Sequence, residues 1–177
     1  MYIKIRTNNK NIQEMENYKV LILGNSPAGK TKLTYRIKLG EDVMTIPTLG
    51  YNFEKVEISN KQIELWDLGG QEKLRPLWKN RYADTKGLIY VYDVNDGNSF
   101  DESVEILKQV LAEEELAGLP MLIFANKIDL GYQMDPNSIV DSVGVDMFNG
   151  REYTVIPCSA INGDGVTDGM DWLASKL

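Results

Sequence analysis

The chain alternates between short apolar runs and stretches in which apolar residues recur at helical spacing. Residues 20–23, Val20-Leu21-Ile22-Leu23, form an unbroken apolar run, as in a strand covered on both faces. The run predicts a strand over 18–23, followed by an amphipathic helix over 30–39. Residues 51–58 alternate instead, with Tyr51, Phe53, Val56 and Ile58 apolar and one slip, which predicts a strand with one solvated face. Ser59-Asn60-Lys61 then turns the chain into a second strand over 62–66, making a hairpin. Nearly all-apolar strands are predicted over 88–92 and 121–125, and a further strand over 153–157. A helix over 99–116 carries Val104, Leu107, Val110 and Leu111 on its apolar stripe and ends before Gly118 and Pro120. Shorter helices are predicted over 136–143 and 166–177. The pattern predicts a doubly wound, mostly parallel six-stranded α/β sheet with helices on both faces and one antiparallel edge strand.

Between the first strand and helix lies Gly24-Asn25-Ser26-Pro27-Ala28-Gly29-Lys30-Thr31, a G-x-x-x-x-G-K-[ST] loop. Its glycines let successive N–H groups face one anion, and the following helix adds its positive end. Lys30 is placed to reach the β- and γ-phosphates of a nucleotide and Thr31 to bind Mg²⁺. Ligands in such sheets bind outside the carboxyl ends of the strands, and three more motifs fall there. Asp67-Leu68-Gly69-Gly70-Gln71 offers a carboxylate that can hold Mg²⁺ through water, then a glycine whose amide can approach a γ-phosphate. Asn126-Lys127-Ile128-Asp129 places a carboxylate that can accept both donors of guanine. Cys158-Ser159-Ala160 supplies a backbone N–H for guanine O6. The last three motifs are weak singly; their order and positions together point to a guanine nucleotide.

Composition removes other readings. The 177 residues suit one domain with a sizeable core. Net charge of −7 opposes binding of nucleic acid or an anionic membrane through bulk charge. There is no histidine, which excludes a Ser-His-Asp triad and a His-ligated zinc. The single cysteine, Cys158, allows no internal disulfide and suits a reducing, cytoplasmic setting. No apolar run approaches the roughly 20 residues of a membrane span, and the N-terminus lacks the plan of a secretion signal. Residues 1–17 read as a tail outside the domain at 18–177. Met1, Ile5 and Ile12 make a thin apolar stripe, open to two readings: a membrane-binding helix, or a flexible or protein-packed tail.

From Tyr18 to Leu177 the chain resembles the small GTPases, and within them the Arf and Arf-like family. The most specific stretches are Ile46-Pro47-Thr48-Leu49-Gly50-Tyr51-Asn52 and Trp66-Asp67-Leu68-Gly69-Gly70-Gln71, continued by Leu74-Arg75-Pro76-Leu77-Trp78. The ending Gly165-Val166-Thr167-Asp168-Gly169-Met170-Asp171-Trp172 is more similar to the Arf-like branch. The resemblance implies a P-loop switch that binds GTP or GDP with Mg²⁺ and hydrolyses GTP slowly unless an activating protein assists. It implies nucleotide contacts from Gly24, Asn25, Ser26, Pro27, Ala28, Gly29, Lys30, Thr31 and Lys32. Further contacts are implied for Thr48, Gly70, Asn126, Lys127, Asp129, Ser159 and Ala160. Thr31, Thr48 and, through water, Asp67 would hold the metal; Lys30 and Gln71 would be catalytic, Gln71 by orienting the attacking water. Arg36, Arg75 and Arg81 are candidates to stabilise the transition state in cis, each set against an ordinary structural role. The implied partners are an exchange factor, an activating protein and effectors that read switch I, switch II and the hairpin between them. The implied role is vesicle or membrane-protein traffic, on the Golgi or other endomembranes. In the family that hairpin also shifts register and expels the N-terminal segment from a pocket.

Five positions depart from the family pattern. Pro27 has no N–H where the family's loop uses an amide near the β–γ bridging oxygen, so nucleotide hold or hydrolysis should suffer. Ser26 stands where Arf proteins usually have Asp, and Lys32 where they have a second Thr. Tyr2 excludes N-myristoylation, which needs glycine there, so membrane contact would need another route. Arg81 stands where the family places a Tyr that joins Tyr51 and Trp66 in an exposed aromatic patch. Trp66 and Trp78 read either as core or as effector surface. The alternative function is a nucleotide-binding interaction module whose hydrolysis is lost through Pro27. An ATP-using P-loop kinase is opposed by Asn126–Asp129.

Overall fold

A computed structural model describes residues 16–177. The apolar stripe at Met1, Ile5 and Ile12 lies outside the described residues. Ten main elements follow in chain order: β1 (Asn17–Leu23), α1 (Lys30–Leu39), β2 (Tyr51–Ile58), β3 (Lys61–Leu68) and β4 (Thr85–Asp93). They continue as α2 (Gly97–Leu111), β5 (Met121–Asn126), α3 (Ser138–Val143), β6 (Tyr153–Pro157) and α4 (Val166–Lys176).

The six strands form one sheet in the order β2-β3-β1-β4-β5-β6. All neighbours pair parallel except β2 with β3. The hairpin turns at Ser59 and Asn60, both at positive φ (52° and 61°), the left-handed geometry of a tight two-residue turn. The unbroken apolar run of β1 is explained by its central place. Leu21 and Leu23 point to one face, against Leu107 of α2 and Ile139 of α3. Val20 and Ile22 point to the other, against Leu33 of α1 and Leu173 of α4. Both faces are dry, so neither half of the alternation is polar.

Several boundaries differ from the sequence expectation. The helix over 99–116 begins at Gly97, because Asp96 caps it by accepting from the Ser99 N–H at 3.2 Å. It stops at Leu111, since Glu113 is extended (φ −75°, ψ 117°), and Glu114–Leu116 forms a separate 3₁₀ turn. Arg151 holds that turn by donating to the Leu116 and Leu119 carbonyls, both at 2.8 Å. The helix over 136–143 starts at Ser138, and the Asp135 carboxylate takes the Asn137 N–H at 2.7 Å. β3 and β4 are longer than expected, because polar Asp67, Thr85 and Asp93 lie inside the sheet. A 3₁₀ run over Glu72–Arg81 was not expected; Pro76 within it, having no N–H to give, is tolerated there.

Candidate functional site

The carboxyl ends of β1, β3, β5 and β6 lie at one edge of the sheet and bring the four motifs together. The loop after β1 needs its glycines. Gly24 sits at φ +141°, and a Cβ there would lie 2.2 Å from the Val91 carbonyl oxygen. Gly29 sits at φ +91°, and its Cβ would meet the Asn126 Nδ2 at 2.6 Å. Between them Asn25 is extended and Ser26–Ala28 makes a single 3₁₀ turn, which the fixed φ of Pro27 suits.

Lys30 opens α1 and is only 4% exposed. Its Nζ donates to the Asn25 carbonyl at 2.7 Å, its sole hydrogen bond among the described residues. Burial lowers its pKa from 10.5 to about 8, against the opposing pull of the Asp67 carboxylate. A phosphate would supply the missing counter-charge.

Thr31, Thr48 and Asp67 meet although they lie on separate segments. Thr31 Oγ1 is 2.7 Å from Thr48 Oγ1 and donates to Asp67 Oδ2 at 2.6 Å. Thr48 Oγ1 is 3.4 Å from the same carboxylate oxygen. Asp67 is fully buried, and burial raises its pKa despite the Thr31 hydrogen bond and the Lys30 charge. Its second oxygen, Oδ1, is buried with no partner among the described residues. An orphaned carboxylate oxygen beside two hydroxyls is a hard-oxygen set that fits a divalent cation such as Mg²⁺.

Gly70 presses bare backbone against the loop: a Cβ there would be 2.3 Å from Lys30 Nζ and 2.5 Å from the Gly24 carbonyl oxygen. The Gly69 N–H donates to the Gly50 carbonyl at 2.8 Å, joining the two segments that carry Gly70 and Thr48. Trp78 Nε1 donates to the Gly69 carbonyl and Arg75 Nε to the Gly70 carbonyl, both at 2.9 Å. Trp78 is therefore core, and it fixes the double glycine. Gln71 follows, half-buried, at the start of the 3₁₀ run. These segments enclose a cleft of about 380 Å³ whose wall includes Pro27, Lys30, Thr31, Thr48 and Gly70.

Beside the cleft, Asn126 is buried and acts as a staple. Its Nδ2 donates to the Ala28 carbonyl at 2.8 Å, and its Oδ1 accepts from the Ala160 N–H at 3.1 Å. The Ala160 amide, one backbone donor of the Cys158-Ser159-Ala160 stretch, is thus engaged by Asn126. Lys127 sits at φ +72° with its Nζ 2.7 Å from Asp93 Oδ2. Asp129 is exposed, with Oδ1 accepting from Ser159 Oγ at 2.6 Å, which leaves its other oxygen open. Ser159 Oγ in turn accepts the Ile161 and Asn162 N–H groups at 3.2 Å. Lys32 lines the same cleft and is held by Asp42, with which it pairs, and by the Val43 carbonyl, to which it donates at 3.2 Å.

The three arginine candidates are all employed elsewhere. Arg36 donates to the carbonyls of Ala160 (2.9 Å), Gly40 (2.6 Å) and Ile161, bracing the base-side loop. Arg75 holds Gly70 and pairs with Glu102 at 2.6 Å. Arg81 stacks 4.3 Å from the Tyr51 ring centroid and 5.6 Å from that of Trp66. Sequence reasoning did not find the bracing roles of Arg36 and Asp93. The long-range partners, Ala160 and Ile161 for Arg36 and Lys127 for Asp93, lie at least 34 residues away on separate elements.

A glycine-bounded anion loop, a buried lysine and a two-hydroxyl, one-carboxylate cluster at one end of a doubly wound sheet define a P-loop nucleotide-binding protein. The chain belongs to the ADP-ribosylation factor family, whose sequence model matches residues 5–177. As a small GTPase of this family it has the fold of a guanine-nucleotide-binding switch. It is similar to the Arl6 (BBS3) small GTPase of Trypanosoma brucei, a structure with the bound nucleotide analogue GppNp. The TM-score is 0.80 at 25% identity, over 90% of this chain and 96% of that one.

Proposed function

We propose that the protein hydrolyses GTP to GDP and phosphate with Mg²⁺ and acts as a timed switch in vesicle or membrane-protein traffic. The observation that carries the reading is the meeting of Thr31, Thr48 and Asp67 at 2.6–3.4 Å. Thr48 sits on the long segment before β2, so a ligand that holds it there orders that segment. Mg²⁺, when bound, neutralises charge on the β- and γ-phosphate oxygens. Thr31 and Thr48 would hold it by their hydroxyls and Asp67 through water. Lys30 gives its ammonium to the phosphates. Gln71 orients a water against the γ-phosphorus; as the water oxygen bonds to phosphorus, the bond to the bridging oxygen breaks, GDP leaves with that electron pair, and the water's proton passes to the released phosphate or to solvent. Loss of the γ-phosphate frees Thr48 and Gly70 from their common ligand and releases both segments.

With Arg36, Arg75 and Arg81 engaged elsewhere, unaided turnover is slow, and an arginine from an activating protein would contribute about 10³–10⁵ in rate. Effectors would read switch I around Thr48, switch II from Gly69 and the β2–β3 hairpin. We place the protein in the cytoplasm and on endomembrane surfaces. Pro27 supports a second reading, a switch that binds nucleotide but hydrolyses it little, because it lines the cleft and carries no N–H. Single-turnover GTP hydrolysis with an Arf-type activating protein tests the two. Acceleration that Gln71→Leu abolishes supports the timed switch; no acceleration supports the module.

A further inference from the structure

On the face opposite the Asp67 carboxylate, β2, β3 and the Glu72–Arg81 run leave aromatic side chains uncovered. Tyr51 is 46% exposed and stacks on Trp66 at 5.3 Å between centroids; Phe53 meets the same ring edge-on at 4.9 Å. Next to Tyr51 opens an apolar cavity of about 260 Å³, bounded by Leu68, Leu74, Leu77 and Trp78, with Arg81 at its rim. Leu77 is 53% exposed at the mouth. Small-molecule pockets run larger, from about 300 to 1,000 Å³, so this one has the size of an anchor site for a side chain.

The rim of this cavity carries charge. Lys32, Lys38, Lys55, Arg75 and Lys79 each pair with a carboxylate. Arg81 forms no ion pair among the described residues; its guanidinium carbon lies over the Tyr51 ring, 4.3 Å from the centroid. Lys19 lies over the other side of the patch, 5.1 Å from the Trp66 centroid, and donates to the Ala83 carbonyl at 2.7 Å. Asp84 and Glu64 act on Lys19 through space, but neither pairs with it. In a chain of net charge −7, this apolar mouth therefore carries a cation with donors to spare. A guanidinium stacked on an aromatic ring keeps its edge N–H groups for a carboxylate, which it takes in a bidentate fork.

We propose that this surface docks a partner protein through a segment that puts one large apolar side chain into the cavity and an adjacent Asp or Glu on Arg81. The inference rests on the switch reading above, since the cavity is built from the segments flanking Thr48 and Gly70. Arg81 sets specificity: with an aromatic residue in its place the site would read apolar shape alone, whereas here it also requires an anion.

The test is selection from a phage-displayed library of random short peptides on full-length protein loaded with a non-hydrolysable GTP analogue. Wild type, Arg81→Tyr and Arg81→Glu are compared, and retained nucleotide is measured first on each. A wild-type protein that does not load contradicts the switch itself. A loaded protein should enrich peptides with Asp or Glu beside a large apolar residue. A selected peptide should lose about five- to tenfold in affinity to Arg81→Glu, and less at high salt. Arg81→Glu should instead enrich Lys- or Arg-bearing peptides. Loaded wild type that enriches nothing, or peptides without acidic preference, overturns the proposal. So does an Arg81→Glu change whose main effect is lost self-association in sedimentation, or lost binding to phosphatidylserine-containing vesicles.

Discussion

Pro27→Ala changes one backbone donor and one backbone freedom, and the two effects have opposite signs. Pro27 lines the phosphate-side cleft within a 3₁₀ turn whose backbone already suits its fixed φ, so alanine returns an N–H without rebuilding the loop. An N–H to a phosphate oxygen is a charge-assisted bond worth about 1.5–3 kcal/mol. That corresponds to roughly 10- to 100-fold slower GDP release. The nucleotide-free protein moves the other way. Replacing a well-fitted proline frees the unfolded chain and costs about 0.4–1 kcal/mol, or a few degrees of melting temperature. Release of a fluorescent GDP analogue and melting of nucleotide-free protein measure the two separately. Pro27→Gly also restores the N–H and should slow release while lowering stability further. Unchanged release in both variants, with the empty protein destabilised as expected, would show that the amide at this position does not face the phosphates.

Other expectations follow from the same geometry. Asp129→Ala removes the open carboxylate at the base side and should weaken GDP by about 10²-fold or more while leaving affinity for inorganic pyrophosphate unchanged; competition titration reads both. Lys30 titrates at about 8 in the empty protein, and bound phosphate raises it again, so binding takes up a proton above that pH. GDP affinity should therefore be flat below pH 8 and fall by up to about tenfold per unit above it, a dependence that Lys30→Met removes. The same depressed value means that the empty native protein binds fewer protons than the unfolded chain between pH 8 and 10.5, so this group adds stability as pH rises through that window. Arg36→Ala removes the three bonds that brace Ala160, Gly40 and Ile161 and should speed GDP release about tenfold. Arg36→Lys should recover little, because an ammonium cannot span three carbonyls as the planar fork does.

Local punctuation explains which elements were legible in the sequence. The helix over 30–39 is bounded as expected because glycines in left-handed conformation stand at both ends, Gly29 and Gly40. The turn after β2 was legible for a similar reason, since Asn60 accepts positive φ. β3 and β4 were read short because Asp67 and Asp93 look like loop residues, although one completes the hydroxyl–carboxylate cluster and the other holds Lys127. The helix over 99–116 was read long because Leu116 keeps the apolar spacing; it is buried, but Arg151, distant in sequence, holds it in a separate turn. At the site, Lys30, Thr31, Thr48 and Gly70 line one cleft, and Asp67 meets the two threonine hydroxyls beside it. What no local pattern carried was the bracing: Trp78 on Gly69, Arg75 on Gly70, Arg36 on the base-side loop, and Asn126 taking the Ala160 amide. The last two join segments whose proximity only the folded sheet creates, and the first two depend on the Glu72–Arg81 run folding back on the double glycine.

The central claim is that this cleft holds a guanine nucleotide together with Mg²⁺ in a way that couples to Thr48. The most direct measurement is binding of GDP, ADP and a non-hydrolysable GTP analogue to one preparation, with and without EDTA, while protection of residues around Thr48 is followed by hydrogen exchange. The account predicts tight GDP and GTP-analogue binding, negligible ADP binding, faster release when EDTA strips the metal, and protection around Thr48 only with the GTP analogue. Equal binding of ADP, or protection around Thr48 that does not change with the nucleotide, would contradict it.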